Sequence, residues 1–280
     1  MRRTAALGWR AAGRGVVEFY RSSNLTYAAS IAYYSLLSLF PFLLLVLSVV
    51  SRLTVAKSDA SLVEIFAATL PRHFDFLIDR IHELAQAPLR LSLLGTVVSL
   101  WAAMGVFGAI TSAVNHAWGV ERSYGFLKHK LIAFVMLVAA GLLMLAALVL
   151  AGAVEVVQAR GIDAVLRSFP ALGWLTGFVT RNAPTPLFAL IVGLIYYFAP
   201  NVPVRLRDVW FGAILAGVLW RLAFDAFSWY VRDLSRFNVN GSVAAVVVFL
   251  VWIYLSAVIL LYGVEVTAAY ARLRRELDGG

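Results

Sequence analysis

Cysteine is absent from all 280 residues. That excludes disulfides, thiolate metal sites and cysteine nucleophiles. Charge is scarce: 14% of the residues are Asp, Glu, Lys or Arg, against about 25% in a soluble domain. The four histidines, His73, His82, His116 and His129, form no ligand-spaced pair on one helix. A two-histidine metal motif is therefore missing. No stretch alternates apolar and polar over about ten residues, which excludes a transmembrane barrel. The N-terminal segment MRRTAALGWRAAGRGVVEFYRSSN contains no uninterrupted apolar run before Leu25, so it does not read as a cleavable signal peptide. Internal repeats and low-complexity tracts are also lacking.

What remains is apolar residues in blocks. Hydrophobic residues make up 62% of the chain and mean hydropathy is +0.85. The blocks approach or exceed the roughly 20 residues that cross a hydrocarbon core as a helix. The spans fall at about 28–51, 91–114, 131–157, 184–200, 208–231 and 242–271. The expected fold is all-α: a multi-pass transmembrane helical bundle of about six spans in a single integral membrane domain, 1–280.

Between the spans, Ala5 to Ser22 sets Arg10, Arg14 and Arg21 on one face, as in a basic amphipathic helix on the cytoplasmic leaflet. Three glycines weaken that helix. Pro41 inside the first span predicts a kink or break, with Ser30, Ser35 and Ser38 as donors to the freed backbone. Residues 59–70 and 72–87 have helical periodicity and read as periplasmic helical segments. There Asp75, Asp79, His82 and Glu83 share a face, which suits either a metal or, as the preferred reading, a solvated acidic surface.

The net charge of +9 raises nucleic-acid binding, but Lys and Arg sit beside apolar segments rather than in one basic surface. Segments 1–27, 115–130, 200–210 and 272–280 carry 13 Lys and Arg against five acids, and the opposite side carries ten against eight. The positive-inside rule then puts both termini in the cytoplasm.

Ionisable residues inside a span are costly and mark function by default. Arg221 and Asp225 stand four apart in the fifth span, with Ser228 continuing the face. They read either as a polar track for a charged head group or as an internal ion pair joining helices. Glu265 lies near the cytoplasmic end of the last span. Tyr33, Tyr34, Ser35 and Pro41 read as a polar, kinked cavity wall. Gly212 with Ala216, and Ala213 with Gly217, permit close helix approach.

Several stretches resemble the YihY/BrkB family of bacterial inner-membrane proteins: ASIAYYSLLSLFPFLLL, LWAAMGVFGAITSAVNHAWGVERSYGFLKHKL, APNVPVRLRDVWFGAILAGVLWRLAFDAFSWYV and NGSVAAVVVFLVWIYLSAVILLYGVEVTAAYA. The resemblance covers about Leu25 to Ala271. Asn240 before Gly241 and Val264 before Glu265 depart from the family's usual Tyr and Ala. The resemblance implies a six-span inner-membrane protein of the kind linked to envelope integrity, serum resistance or lipid export. It also carries an older ribonuclease label, which these residues do not support, since no acid–base pair or metal cluster sits on a surface open to RNA. The expectation is a transporter or flippase of an amphipathic envelope component, a lipid first. A non-catalytic scaffold for envelope-assembly partners is the alternative, and an enzyme comes last. No catalytic residue, metal or cofactor is assigned. Expected partners are membrane lipids, envelope proteins and further copies of the chain, without nucleic acid.

Overall fold

The computed structural model describes residues 2–53, 93–120, 125–159, 184–234 and 242–278. Among them are seven helices and no strand: α1 Arg2–Arg21, α2 Asn24–Leu53, α3 Leu93–Ala117, α4 Phe126–Ala159, α5 Pro184–Phe198, α6 Leu206–Leu234 and α7 Ser242–Asp278. Among the described residues, four stretches are long and apolar enough to cross a membrane: Asn24–Phe42, Leu94–Ala117, Leu206–Val231 and Val246–Leu277. Phe188–Phe198 is a shorter apolar helix. The proposed periplasmic helices, with Asp75, Asp79, His82 and Glu83, lie outside the described residues.

Helix α7 is the axis. It packs against α1, α2, α3, α5 and α6, and its Leu261, Val264, Val266 and Thr267 are wholly buried. Small residues set how close its neighbours come. Gly212 of α6 lies against Gly263 and Thr267 of α7, with no space for a Cβ. One turn on, Ala216 lies against Gly263, while Ala213 and Gly217 face Gly193 and Ala189 of α5. The two small-residue stripes of α6 therefore serve two different partners, as helices packing in lipid require. Tyr196 of α5, fully buried, donates its hydroxyl to the Leu260 carbonyl at 2.6 Å.

The surface around this core is apolar. Tyr33, Leu37, Val97, Trp101, Val135, Val138, Ile214, Val218, Leu222, Val247 and Val251 are all exposed. A water-soluble monomer rarely carries so much contiguous apolar surface, and a helix wall of this kind suits contact with lipid chains.

Helix α2 runs unbroken through Pro41. Ser38 donates across to the Ala102 carbonyl of α3 at 2.8 Å, and Ser30 bonds back to Thr26 in its own helix. These hydroxyls join helices or cap their own turn instead of filling a gap at the proline. Helix α7 continues past the apolar run at 242–271 to Asp278, and α1 docks on its last turns: Ala11 is buried with Val266, Ala269, Tyr270 and Leu273. Two of the α1 glycines that weaken it as an isolated helix are what let it dock, since Gly8 lies under Phe211 and Gly15 under Val266. Lys130 falls at the end of the basic segment 115–130. It sits in the first turns of α4, its Nζ 4.3 Å from the centre of the Trp101 ring.

Candidate functional site

The polar chemistry collects at one end of the bundle. Here α1 ends, α2 begins, α3 and α5 end, α6 begins and α7 finishes. Each of these helix termini leaves orphan backbone groups, and side chains from distant segments satisfy them.

Helix α3 ends in a Schellman arrangement. Gly119 takes a φ of +69°, the Gly119 N–H donates to the His116 carbonyl at 2.9 Å, and the Val120 N–H donates to the Asn115 carbonyl at 3.0 Å. The Ala117 carbonyl, left over by that motif, accepts from Arg272 at 3.1 Å. The other arm of the Arg272 guanidinium reaches Glu18 at 2.8 Å. Arg272 thus ties α1, α3 and α7 together. Asn115 ties α3 to the turn between α5 and α6: its amide donates to the Thr111 carbonyl at 2.9 Å and to Ala199 at 3.4 Å, and its oxygen accepts from the Asn201 N–H at 2.7 Å. Asp208 in the first turn of α6 pairs with Arg274 at 3.1 Å, and the Asp208 side chain is only 6% exposed.

Glu265 lies at the centre of this end. It is 2% exposed, yet it forms no ion pair among the described residues. Its Oε1 accepts from the Asn24 amide at 2.8 Å and from the Ser22 hydroxyl at 3.2 Å. A carboxylate so held takes its hydrogen bonds from neutral donors at the α1–α2 junction. Asn24 is itself fully buried, and its Oδ1 accepts no hydrogen bond among the described residues. Beside the cluster opens a cleft of about 320 Å³, lined by Glu18, Arg21, Ser22, His116, Glu265 and Arg272, with Gly119 at its edge. His116 is held by ring contact with Tyr27, centroids 4.9 Å apart.

Arg221, Asp225, Ser228, Tyr33, Tyr34, Ser35 and Pro41 are elsewhere. Arg221 Nε meets Asp225 Oδ2 at 3.2 Å within α6, with the side chains 32% and 58% exposed. The pair is on the same helix as the exposed Ile214, Val218 and Leu222. Trp220 and Trp252 are in ring contact, so Arg221 is level with a part of α7 thirteen residues before Glu265, about 20 Å along the axis. Tyr33 and Tyr34 point outward, their rings edge to face with centroids 5.6 Å apart. Tyr34 also borders Gly105 of α3. Ser35 and Pro41 are half-buried. Of the candidate site residues read from sequence, Glu265 belongs to the polar cluster, and Arg21, read there as part of the basic face of α1, lines the cleft beside it. Glu18, Ser22, Asn24, Asn115, Asp208, Arg272 and Arg274 were missed. Their signal was weak: each lies at the edge of an apolar run, where a polar residue is ordinary.

Among the described residues no group of three His, Cys, Asp or Glu side chains is placed to hold a metal ion.

A family profile described as Virulence factor BrkB matches residues 16–279. The ribonuclease-like protein YfkH of Bacillus subtilis is 30% identical over 259 residues, covering 90% of this chain and 91% of that protein. A UPF0761 membrane protein of Alkalilimnicola ehrlichii is 28% identical over 257 residues, 91% of this chain and 56% of that one. Another, from Legionella pneumophila (strain Corby), is 28% identical over 277 residues, 95% and 64%. The chain thus spans nearly all of the first relative and less than two thirds of the other two. No solved structure matches it.

Proposed function

The chain belongs to the virulence factor BrkB family of membrane proteins, and from that premise we propose that it binds and moves an amphipathic lipid between membrane leaflets. The observation that carries this reading is the cleft beside Glu265. It places charged and polar side chains of both signs at one end of a bundle whose flanks are apolar. A lipid needs that combination, a polar pocket for the head group and apolar surface for the chains. A separate groove suits chains alone: about 190 Å³ between α3, α4 and α5, lined by Phe107, Met136, Leu143, Ile191, Leu194 and Phe198.

The finer topology is part of the proposal: six spans, with the polar end and both termini in the cytoplasm of a bacterial inner membrane. The short α5, at 15 residues, and α4 complete the six. It is supported by the way the segments assigned to one side by their charge meet at one end, through Glu18–Arg272, Arg272–Ala117 and Asp208–Arg274. Reporter fusions at Gly125 and Gly279 are expected to report the cytoplasm, and fusions at Gly161 and Asn238 the periplasm. A cytoplasmic signal at Gly161 breaks the six-span arrangement.

Lipid movement is tested with purified protein in vesicles holding a tail-labelled phospholipid and a membrane-impermeant quencher. Quenching that proceeds well beyond the outer-leaflet half is the expected result. A plateau equal to that of protein-free vesicles overturns the reading. The name of the Bacillus relative suggests a ribonuclease activity, and here we propose none. Purified protein is expected to leave RNA intact with or without divalent metal, and turnover abolished by a point substitution of the chain would refute this. The scaffold alternative would dock its partners through residues 59–87, which lie outside the described residues.

A further inference from the structure

We propose that the cleft beside Glu265 is a zwitterionic head-group site, which takes a phosphodiester on Arg21 and a primary ammonium on Glu265. The inference rests on the lipid-moving reading above and narrows it to one head-group class.

The argument is one of charge left over. Four of the side chains lining the cleft are charged: Glu18, Arg21, Glu265 and Arg272. Arg272 and Glu18 satisfy each other at 2.8 Å. Arg21 and Glu265 form no ion pair among the described residues, yet they flank Ser22, whose hydroxyl is 3.2 Å from Glu265. One cation and one anion therefore line the same opening without an ion-pair partner among the described residues. A purely anionic ligand would satisfy Arg21 and press against Glu265. A purely cationic one would do the reverse. A ligand carrying both charges a few bonds apart satisfies both, and a buried charge is retained most cheaply when it is paired.

The type of cation follows from the lining. An ammonium with N–H groups can donate to a carboxylate. A trimethylammonium has no N–H and is recognised instead by aromatic faces. Among the described residues the cleft is lined by no Phe, Tyr or Trp, and its aromatic ring is that of His116. A neutral acceptor lies close: Asn24 Oδ1, buried and without a donor among the described residues, is on the residue that holds Glu265. The volume of about 320 Å³ is at the lower bound for small-ligand pockets and fits a head group rather than a whole lipid.

The same chemistry occurs on a lipid and on its soluble head group, so both are probed. Full-length protein in detergent is offered phosphatidylethanolamine, phosphatidylcholine and phosphatidylglycerol with identical chains, and retention is read by native mass spectrometry. Glycerophosphoethanolamine and glycerophosphocholine are titrated separately. Phosphatidylethanolamine is expected to be retained about tenfold over the other two, the equivalent of one charged hydrogen-bonding contact. Glu265→Gln should abolish the preference over phosphatidylcholine while leaving the shared phosphate contact. Arg21→Gln, at an exposed position that the fold does not need, should weaken both lipids about fivefold. Stronger binding of the lipid than of its soluble head group identifies the lipid as the source, and equal binding identifies the head group alone. Equal retention of the three lipids by the wild type, or no effect of Arg21→Gln, overturns the site. Selective binding without lipid movement in vesicles sinks the transport reading and leaves the site standing. Lipid movement indifferent to head group does the opposite.

Discussion

Asp225 and Glu265 are both carboxylates within apolar helices of crossing length, and the molecule treats them in opposite ways. Asp225 pairs with Arg221 one turn away on its own helix and keeps 58% of its side chain exposed. Glu265 is buried, 2% exposed, and is held by donors 241 and 243 residues away in sequence. A local i, i+4 pair can form wherever the helix goes. A carboxylate satisfied only by another segment fixes how the segments meet. The polar end of the bundle follows the second pattern throughout, at Asp208, Asn115 and Arg272, and the middle of α6 follows the first.

The largest effect that can break this contrast is expected at Asp208. Arg274→Met leaves a nearly buried carboxylate without its guanidinium. That should cost about 3 kcal/mol of stability, the lower end of the range for a broken buried pair because Arg274 keeps some solvent contact. Replacing both partners with apolar residues of similar bulk should recover most of it, measured as the melting temperature in detergent. A single substitution that costs nothing would mean that the polar end is no more committed than the α6 surface.

Next comes the Glu265 cluster. Glu265→Leu removes the acceptor for Asn24 and Ser22, and Asn24→Leu removes the principal donor to Glu265. Each is expected to cost about 2 kcal/mol, that of an unsatisfied buried partner. The two should be strongly non-additive, since they delete the same contact. Additive losses would show that Asn24 and Glu265 act independently and would dissolve the cluster.

This contrast also explains what the sequence could show. The spans were legible because burial in lipid imposes a length and a hydropathy that any window detects: the apolar blocks at 28–51 and 208–231 became α2 over 24–53 and α6 over 206–234. The small pairs on α6 were legible because spacing alone puts them on a face. Asn24 was not, because nothing about an amide at the head of an apolar run says that a glutamate 241 residues later will need it. Arg221 and Asp225 attracted notice because charge inside a span is rare, but rarity does not say which way a side chain turns. Helix α1 was legible as amphipathic, whereas its docking on α7 through Gly8 and Gly15 depends on a partner surface contributed by the far end of the chain.

The smallest expected effect is at the pair that looked most costly in sequence. If Arg221 and Asp225 form an outward, in-helix pair, removing either partner leaves a charge that still reaches the surface. Arg221→Met and Asp225→Leu should then each change stability by less than about 1 kcal/mol, the range of exposed ion pairs. The double replacement should behave as either single one does, because no buried charge is left stranded in any of the three. An internal pair predicts the reverse pattern, two damaging single substitutions and a benign double, with losses of about 3–5 kcal/mol for each single change. The same proteins carried into the vesicle assay separate stability from function. With the head-group site placed at Glu265, about 20 Å along the axis from Arg221, lipid movement should survive the double replacement. Loss of movement in a double mutant that melts like the wild type would return the functional site to α6 and take it away from the polar end.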